Sequence, residues 1–431
     1  MLVLLVGTGI FLSIRLKFLP LRNLPHAISL VFTRGENGEG DISPFQSLMT
    51  ALAATIGTGN IAGVAAAITT GGAGAVVWMW ISALFGLSTK YAESVLAVKY
   101  REKNKRGEMC GGPMYAMKNG FSLKWLGSTL AALFSIFTIM ASFGIGNMTQ
   151  ANSISSGLSG TFGVPAWVTG SVLAALVLLV LLGGIKSIGR VCSVAVPVMA
   201  IGYVVGAVVV IAVNYKNVPS GLVLMIKSAF SFKSVGGGAL GIAIVQAMQS
   251  GVSRGVFSNE AGLGSAPIAA AAASTSSPSR QGYINMSGTF FDTLLICSLT
   301  AIAICSSGVL LSSDATGVLL TIDAFESTLG PTGGYIVAIG LIFFAFSTIL
   351  GWEYYGEKAL EYFIKNRAVL ILYRVVYSLT CFVGATSQLS VVWRFSDIAN
   401  ALMAIPNLLC LILLSPTVAR ECFEYQKRQG R

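Results

Sequence analysis

The sequence predicts an all-α integral membrane protein with about 11 transmembrane helices, built as a five-plus-five inverted repeat plus one N-terminal helix. Hydrophobic residues make up 54% of the chain and charged residues only 10%, against roughly 25% charged residues in soluble domains. Apolar runs of about 20 residues, long enough to cross a ~30 Å hydrocarbon core, recur along the chain. Two glycine-rich motifs also echo each other in its two halves.

The first motif is Gly-Thr-Gly-Asn-Ile-Ala-Gly at 57–63, and the second is Ser-Asn-Glu-Ala-Gly-Leu-Gly at 258–264. Both contain Asn-x-Ala-Gly, and such glycine density weakens a helix. Unwound backbone at bilayer depth persists only where it is buried in protein or lines a cavity. A matched pair of interrupted helices is a strong pointer to a transporter site. Close packing of small residues would explain the glycines, but not Asn60, Asn259 and Glu260 beside them.

In chain order, the sequence of residues 1–45 predicts three segments: a short apolar helix over 1–13, a basic amphipathic surface segment over 15–33, and an exposed polar linker over 34–43. We expect the first to be the end of a longer helix. The ten helices that follow are named core one to core ten, and they are predicted over 46–70, 74–99, 124–157, 165–184, 189–213, 237–273, 285–311, 333–357, 368–386 and 391–416. The first repeat is then 46–213, the extracellular connection 214–236, the second repeat 237–416 and the cytoplasmic tail 417–431.

Five helices separate the starts of the two repeats, and this odd number gives the repeats opposite orientations. If the linker before core one is cytoplasmic, the outside connections carry only four of the 28 Lys and Arg residues: Lys216, Lys227, Lys233 and Arg394. The positive-inside rule therefore predicts a multi-pass protein of the cell membrane, in contact with lipid, with a cytoplasmic C-terminus. The net charge of +11 is then explained by cytoplasmic loops, and we expect no nucleic-acid partner.

The sequence also argues against an enzyme. The seven cysteines have neither disulfide nor metal-type spacing, and the single histidine, His26, lies in the basic surface segment. No nucleophile–base pair and no phosphate-binding loop is evident. An oligomeric state is not specified by these features.

Five motifs carry a family resemblance, and they lie at 57–63, 111–115, 143–147, 255–267 and 351–358. They resemble motifs of the alanine or glycine:cation symporter family over nearly the whole chain. The resemblance implies sodium-coupled uptake of small neutral amino acids such as alanine and glycine, with Na⁺ as the co-transported ion. It also implies the leucine-transporter-like fold with one additional N-terminal helix.

A zwitterionic substrate needs a partner for each charge, because a buried unpaired charge is costly. The free N–H groups of a broken helix attract a carboxylate, and its unwound carbonyls attract Na⁺ or the ammonium. We assign the substrate carboxylate to the backbone at Thr58, Gly59 and Asn60. The alternative for Thr58 is a hydroxyl bonded back to its own helix.

Core three faces core one in this fold. Phe143, Asn147 and Gln150 have spacings of four and three, which predicts one shared helical face. Gln150 is expected to bond the ligand and Phe143 to close over it. The alternative for both is helix–helix packing.

Core eight offers Ser347, Thr348 and Trp352. In the related fold, the sodium ion shared by cores one and eight uses such hydroxyls, so we assign Gly57, Ser347 and Thr348 to Na⁺, with Thr348 also touching substrate. Trp352 is expected to cap the pocket, or alternatively to be an interfacial anchor.

Phe257, Ser258 and Asn259 are expected to form the other side of the pocket, whose aromatic walls would exclude side chains larger than a methyl group. Asn259, Glu260 and Arg254 are assigned gating or structural roles, with a Glu260–Arg254 pair if the intervening backbone is unwound. Sodium ligation is the alternative for Glu260. Three further acids within or near apolar runs cannot be ranked by sequence: Glu93, Asp292 and Asp397.

The predicted function is secondary active transport by alternating access. A proton-coupled transporter of the same fold, with Glu260 or Glu93 carrying the proton, is one alternative. A sensor that binds an amino acid without moving it is another.

Overall fold

A computed structural model describes residues 1–33, 38–104, 107–230 and 240–430 of the chain. Within these ranges the protein is almost entirely helical, with one small hairpin pairing Glu102–Lys103 with Met109–Cys110. Six of the described helices are long and apolar enough to cross a membrane, and a bent pair of shorter helices makes a seventh span.

The ten core helices are all present, and several differ from their predicted bounds. An N-terminal helix, Leu2–Arg15, and two surface helices, Leu19–Arg22 and Leu24–Val31, precede them. The core helices in order are Pro44–Thr55 with Gly59–Gly71, Ala75–Lys99, Lys124–Phe162, Ala166–Leu181, Gly184–Val213, Leu240–Asn259 with Pro267–Ala271, Pro278–Ser306, Pro331–Phe363, Arg367–Thr386 and Leu389–Leu413.

Core one begins at a strong start signal and is broken by its glycine motif. Ser43 accepts from the backbone N–H of Gln46, and the Gln46 side chain accepts from the Ser43 N–H, which completes a capping box ahead of Pro44. The helix stops at Thr55 and resumes at Gly59 with a bend of 50°. Core one is therefore discontinuous, as the sequence predicts.

Core six is interrupted more widely, between Asn259 and Pro267. Glu260, Gly262 and Gly264 adopt positive φ angles of 57°, 94° and 83°. Glycine adopts this conformation freely, whereas a glutamate in it is uncommon and points to a site that holds it there. The second predicted break is therefore also present.

Core seven begins at Pro278, well before the predicted start at 285, after a Ser277 side-chain cap. Its first turns contain Ser279 and Gln281, which are polar yet buried. Hydropathy misses these turns because the Ser279 hydroxyl donates to the Glu421 carbonyl and the Gln281 Nε2 donates to Ser47 and Asn285, rather than to water.

The segments outside the core are also more ordered than predicted. The connection after core five contains the helix Val218–Phe230, while residues 231–239, including Lys233, lie outside the described part. The tail forms an amphipathic helix, Ser415–Arg428, that buries Cys422 and Tyr425.

The linker before core one is not simply exposed, although its residues 34–37 are not described. Ile42 is buried and forms a parallel bridge with Ala273 at the end of core six. Arg101 donates to the carbonyls of Ala271, Ala273, Thr275 and Glu39 at 2.7–2.9 Å. These contacts, which we call the linker latch, tie the linker, the end of core six and the loop after core two together.

Candidate functional site

The two helix breaks lie against each other and converge on one carboxylate, Asp292 of core seven. Asn60 Nδ2 donates to Asp292 Oδ1 at 2.7 Å, and Ser258 Oγ donates to both carboxylate oxygens at 3.0 and 2.9 Å. A Cβ atom placed on Gly59 would lie 2.9 Å from the Ser258 Cα, so glycine permits this approach. The proximity predicted from the echoed motifs is confirmed.

We call Asn60, Ser258 and Asp292 the hub. Two of these residues lie in widened helical turns. Asn60 lies in the π-helical turn Gly59–Gly63, and Asp292 lies in the π-helical segment Phe290–Cys297. Such turns occur mostly as local bulges and are frequent at functional sites. The Asn60 Oδ1 also accepts from the Gly57 N–H at 2.9 Å, so this side chain bridges its own break to Asp292.

Gln150 of core three reaches the break in core one. Its Oε1 accepts from the Thr58 N–H at 3.1 Å, which is one of the backbone donors expected to meet a substrate carboxylate. The buried Thr58 hydroxyl has no hydrogen-bond partner among the described residues, so the predicted alternative of a bond back to its own helix is wrong.

The shared face predicted for Phe143, Asn147 and Gln150 does not exist. A third π-helical turn, Gly144–Met148, rotates the helix between them. The Phe143 ring packs on Tyr373 and Tyr377 of core nine, with ring centroids 5.6 and 5.5 Å apart. Asn147 Nδ2 likewise donates to the Tyr377 carbonyl, so only Gln150 of the three faces core one.

A second cluster of oxygen atoms joins cores one and eight. Thr348 Oγ1 lies 2.9 Å from the Ala53 carbonyl oxygen and 3.4 Å from that of Ile56. Ser347 Oγ lies 3.4 Å from the same Ala53 oxygen. Gly57 closely approaches Thr348 Oγ1, but the carbonyls that meet the hydroxyls are those of Ala53 and Ile56. Hydroxyl and carbonyl oxygens together suit a hard cation.

Trp352 is completely buried, so the interfacial-anchor alternative is wrong. Its Nε1 donates to Glu260 Oε1 at 2.7 Å, and Ser265 Oγ donates to Glu260 Oε2 at 2.6 Å. Gly146 of core three leaves the space that the Trp352 side chain fills. Glu260 is therefore a fixed member of the break.

The predicted Glu260–Arg254 pair is absent. Core six stays helical to Asn259, which leaves Arg254 on a different face from Glu260. Arg254 instead donates to Asp397 at 2.9 Å and lies 4.2 Å over the Trp393 ring. The Phe257 ring stacks on Trp393 at 4.7 Å.

The expected aromatic wall is therefore divided among three places. Phe143 packs on core nine, Phe257 on core ten, and Trp352 beside Glu260 and Gly146. Their side chains do not form one continuous surface.

A cavity of about 990 Å³ lies at one end of the bundle. Its lining includes Ala62, just beyond the break in core one, with Ser250 and Arg254 of core six and Trp393 of core ten. At the opposite end of the bundle the linker latch joins the linker to the end of core six.

Sequence reasoning left Asp292 unranked and missed Lys90 altogether. Lys90 is buried in core two, and its Nζ donates to the Asn259 carbonyl at 2.7 Å. The available signal was a Lys and a Glu three residues apart, Lys90 and Glu93, in the middle of a 25-residue helix. Ionisable residues inside a membrane helix are functional candidates by default.

The whole chain, residues 1–431, matches the family model described as the sodium:alanine symporter family. It is 50% identical over 426 residues to the sodium/alanine symporter AgcS of Methanococcus maripaludis, covering 98% of this chain and 93% of that protein.

Two solved structures show the same fold at low sequence identity. MhsT in complex with L-phenylalanine has a TM-score of 0.59 at 14% identity, covering 89% of this chain and 99% of that one. A Na⁺-coupled sialic acid symporter in a substrate-bound outward-open state has a TM-score of 0.57 at 11% identity, covering 96% and 97%. Broken core helices in a leucine-transporter-like arrangement and a whole-chain match agree: the protein belongs to the sodium:alanine symporter family.

Proposed function

We propose that this protein is a secondary active transporter that moves small neutral amino acids, alanine and glycine, together with Na⁺ by alternating access. The observation that carries the proposal is the convergence of both helix breaks on Asp292. A large cavity reaches Ala62, just beyond the first of these breaks. Each break leaves backbone groups without helical partners. A ligand and ion bound between the breaks would satisfy both sets at once.

Two oxygen clusters are proposed to bind the transported cation. The first consists of the Thr348 and Ser347 hydroxyls with the Ala53 and Ile56 carbonyls. The second is centred on Asp292, a buried carboxylate whose negative charge attracts a cation in a low-dielectric interior. Family membership supports Na⁺ as that cation.

The substrate carboxylate is proposed to bind at the backbone N–H groups of Thr58 and Gly59. Gln150 Oε1 accepts the Thr58 N–H in this structure, so a substrate carboxylate would take over that bond. Ser258 and Thr348 border the same break. Trp352 is proposed to stabilise the break in core six through its hydrogen bond to Glu260.

The cavity is proposed to open to the outside, and the linker latch is proposed to close the cytoplasmic side. The support is the distribution of Lys and Arg, which also places the C-terminus in the cytoplasm. The repeat boundaries at 46–213 and 237–416 remain a prediction.

The test is uptake of labelled alanine by proteoliposomes under an inward Na⁺ gradient, with K⁺ replacing Na⁺ in the control. We expect Na⁺-dependent accumulation, and alanine-stimulated ²²Na⁺ uptake in the same vesicles. Leucine should be discriminated against by roughly 10–200-fold if one methylene-sized clash decides selection. Binding without accumulation would favour a sensor and contradict the proposal.

Proton coupling is the second candidate, and the buried Glu260 and Glu93 beside Lys90 favour it. Alanine uptake that persists without Na⁺ and follows an imposed pH gradient would support this candidate. Uptake that follows only the Na⁺ gradient would exclude it.

A further inference from the structure

Core two carries a lysine and a glutamate inside the bundle that the proposed substrate and ion sites do not use. Lys90 and Glu93 are each only 2% exposed, and their spacing of three places both on one helix face. Gly86, one turn earlier, lets core two approach core six, because a Cβ atom there would lie 3.0 Å from the Ala261 Cβ. This face of core two packs directly on the break in core six.

Lys90 meets the carbonyl end of the first half of core six. Its Nζ donates to the carbonyl of Asn259 at 2.7 Å, and Asn259 is the last helical residue before the break. The final carbonyls of a helix lack intrahelical partners and carry the negative end of its dipole. A buried ammonium group is therefore complementary to this helix end.

Glu93 meets the opposite kind of backbone group in the same break. Its Oε1 accepts from the N–H groups of Gly262 and Gly264 at 3.0 and 3.1 Å. Asn407 of core ten donates to the same oxygen at 2.7 Å and to the Gly262 carbonyl at 3.0 Å. Together with the Lys90 bond to the Asn259 carbonyl, four hydrogen bonds from this cluster satisfy backbone groups that would otherwise be costly to bury.

We propose that Lys90 and Glu93 are positioning residues for transport, which hold the unwound backbone of core six in the shape that presents Ser258 to Asp292. This inference rests on the proposed function for its effect on transport, but not for its effect on the backbone. Glu260 and Asp292 also lie in this region, and both are engaged by other partners. The hydrogen bonds described for Lys90 and Glu93 reach the main chain of core six, and Glu93 also accepts from Asn407.

The first test is hydrogen–deuterium exchange of the purified full-length protein without substrate, read at the amides of Gly262 and Gly264. We expect slow exchange in the unmodified protein, intermediate exchange in Glu93→Gln, which keeps a weaker acceptor, and exchange at least roughly tenfold faster in Glu93→Leu. The matched control is Lys358→Met, which removes a buried lysine bonded to Glu361 at the same spacing of three.

The second test is the alanine KM of Lys90→Met in proteoliposomes, with Lys358→Met again as the control. We expect the KM to rise roughly tenfold in Lys90→Met and to stay within about twofold in the control. The two proposals can fail separately. If exchange at 262–264 is faster in the Glu93 variants but the unmodified protein shows no sodium-coupled uptake, the positioning role stands and the proposed function is refuted.

The positioning role is overturned if exchange at 262–264 is unchanged in a folded Glu93 variant. It is also overturned if Lys358→Met accelerates exchange there as much, because the effect would then be general destabilisation. Should Glu93→Leu fail to fold, the comparison of Glu93→Gln with Lys358→Met decides the question by the same criterion.

Discussion

The Trp352 indole donates to Glu260 across the bundle at 2.7 Å, joining core eight to the break in core six. Glu260 itself has a positive φ of 57°, a conformation that non-glycine residues adopt rarely and that needs support from its surroundings. The bond links the helix that carries the Thr348 hydroxyl to the segment that carries Ser258. A direct hydrogen bond therefore joins the helix of the Thr348 cluster to the break that follows Ser258.

Loss of this bond should destabilise the protein and weaken substrate binding together. We expect Trp352→Phe, which keeps most of the ring volume, to cost about 1–3 kcal/mol because it leaves a buried carboxylate oxygen without its donor. Thermal unfolding and the alanine KM, measured on the same preparation, would check this. Tyr354→Phe is a control, since Tyr354 is a nearby buried aromatic residue on the same helix. Equal effects of both substitutions would contradict a specific role for the bond.

Thr348→Ala should raise the Na⁺ concentration needed for half-maximal uptake by roughly tenfold or more. The substitution removes one of the two hydroxyl oxygens from the cluster formed with the Ala53 and Ile56 carbonyls. Thr348→Ser retains the hydroxyl and should remain close to the unmodified protein. A normal Na⁺ dependence in Thr348→Ala would remove this residue from the proposed ion site.

Asp292→Asn should abolish Na⁺-coupled uptake while leaving the protein inserted and folded. The amide keeps the size of the side chain but removes the charge that Asn60 and Ser258 now surround. Calorimetric titration of Na⁺ and alanine into the purified variant would test the expected loss of binding. Retention of both affinities would show that the hub is structural only.

The sequence was sufficient for the fold class and for the two breaks, because clustered glycine and asparagine in an apolar run disfavour a continuous membrane helix. It was not sufficient for the neighbours of each side chain. The π-helical turn at 144–148 separates Gln150 from Phe143, although ideal helical spacing puts them together. Lys90 and Asp292 acquire meaning only from tertiary contacts, since each bonds to a segment more than 30 residues away.

Arg101→Ala should weaken closure of the end of the bundle that carries the linker latch, which we propose to face the cytoplasm. The Arg101 guanidinium holds four carbonyl groups of the linker and the end of core six, whereas Lys103 makes one exposed ion pair with Glu39 and lowers the pKa of that carboxyl. We expect a cysteine placed at Ser47, which bonds to the Ala269 carbonyl, to react faster with a cytoplasmic thiol reagent in Arg101→Ala. Lys103→Ala is the control, and equal rates in both variants would show that the latch does not limit opening.

Asn60→Ala and Asn259→Ala should both lower substrate affinity while leaving expression and membrane insertion largely unchanged. Asn60 joins the first break to Asp292, and Asn259 joins the second to Thr293, which itself donates to Asp292. Each loss should therefore loosen the same hub.

Asn152→Ala is the matched control, because this buried asparagine donates to two carbonyls of core nine and its following turn, away from the breaks. Alanine binding and thermal unfolding of the three variants separate the cases. If the asparagines serve packing alone, all three variants should lose stability and keep normal affinity; if the breaks form one site, only the first two should lose affinity, by roughly tenfold or more.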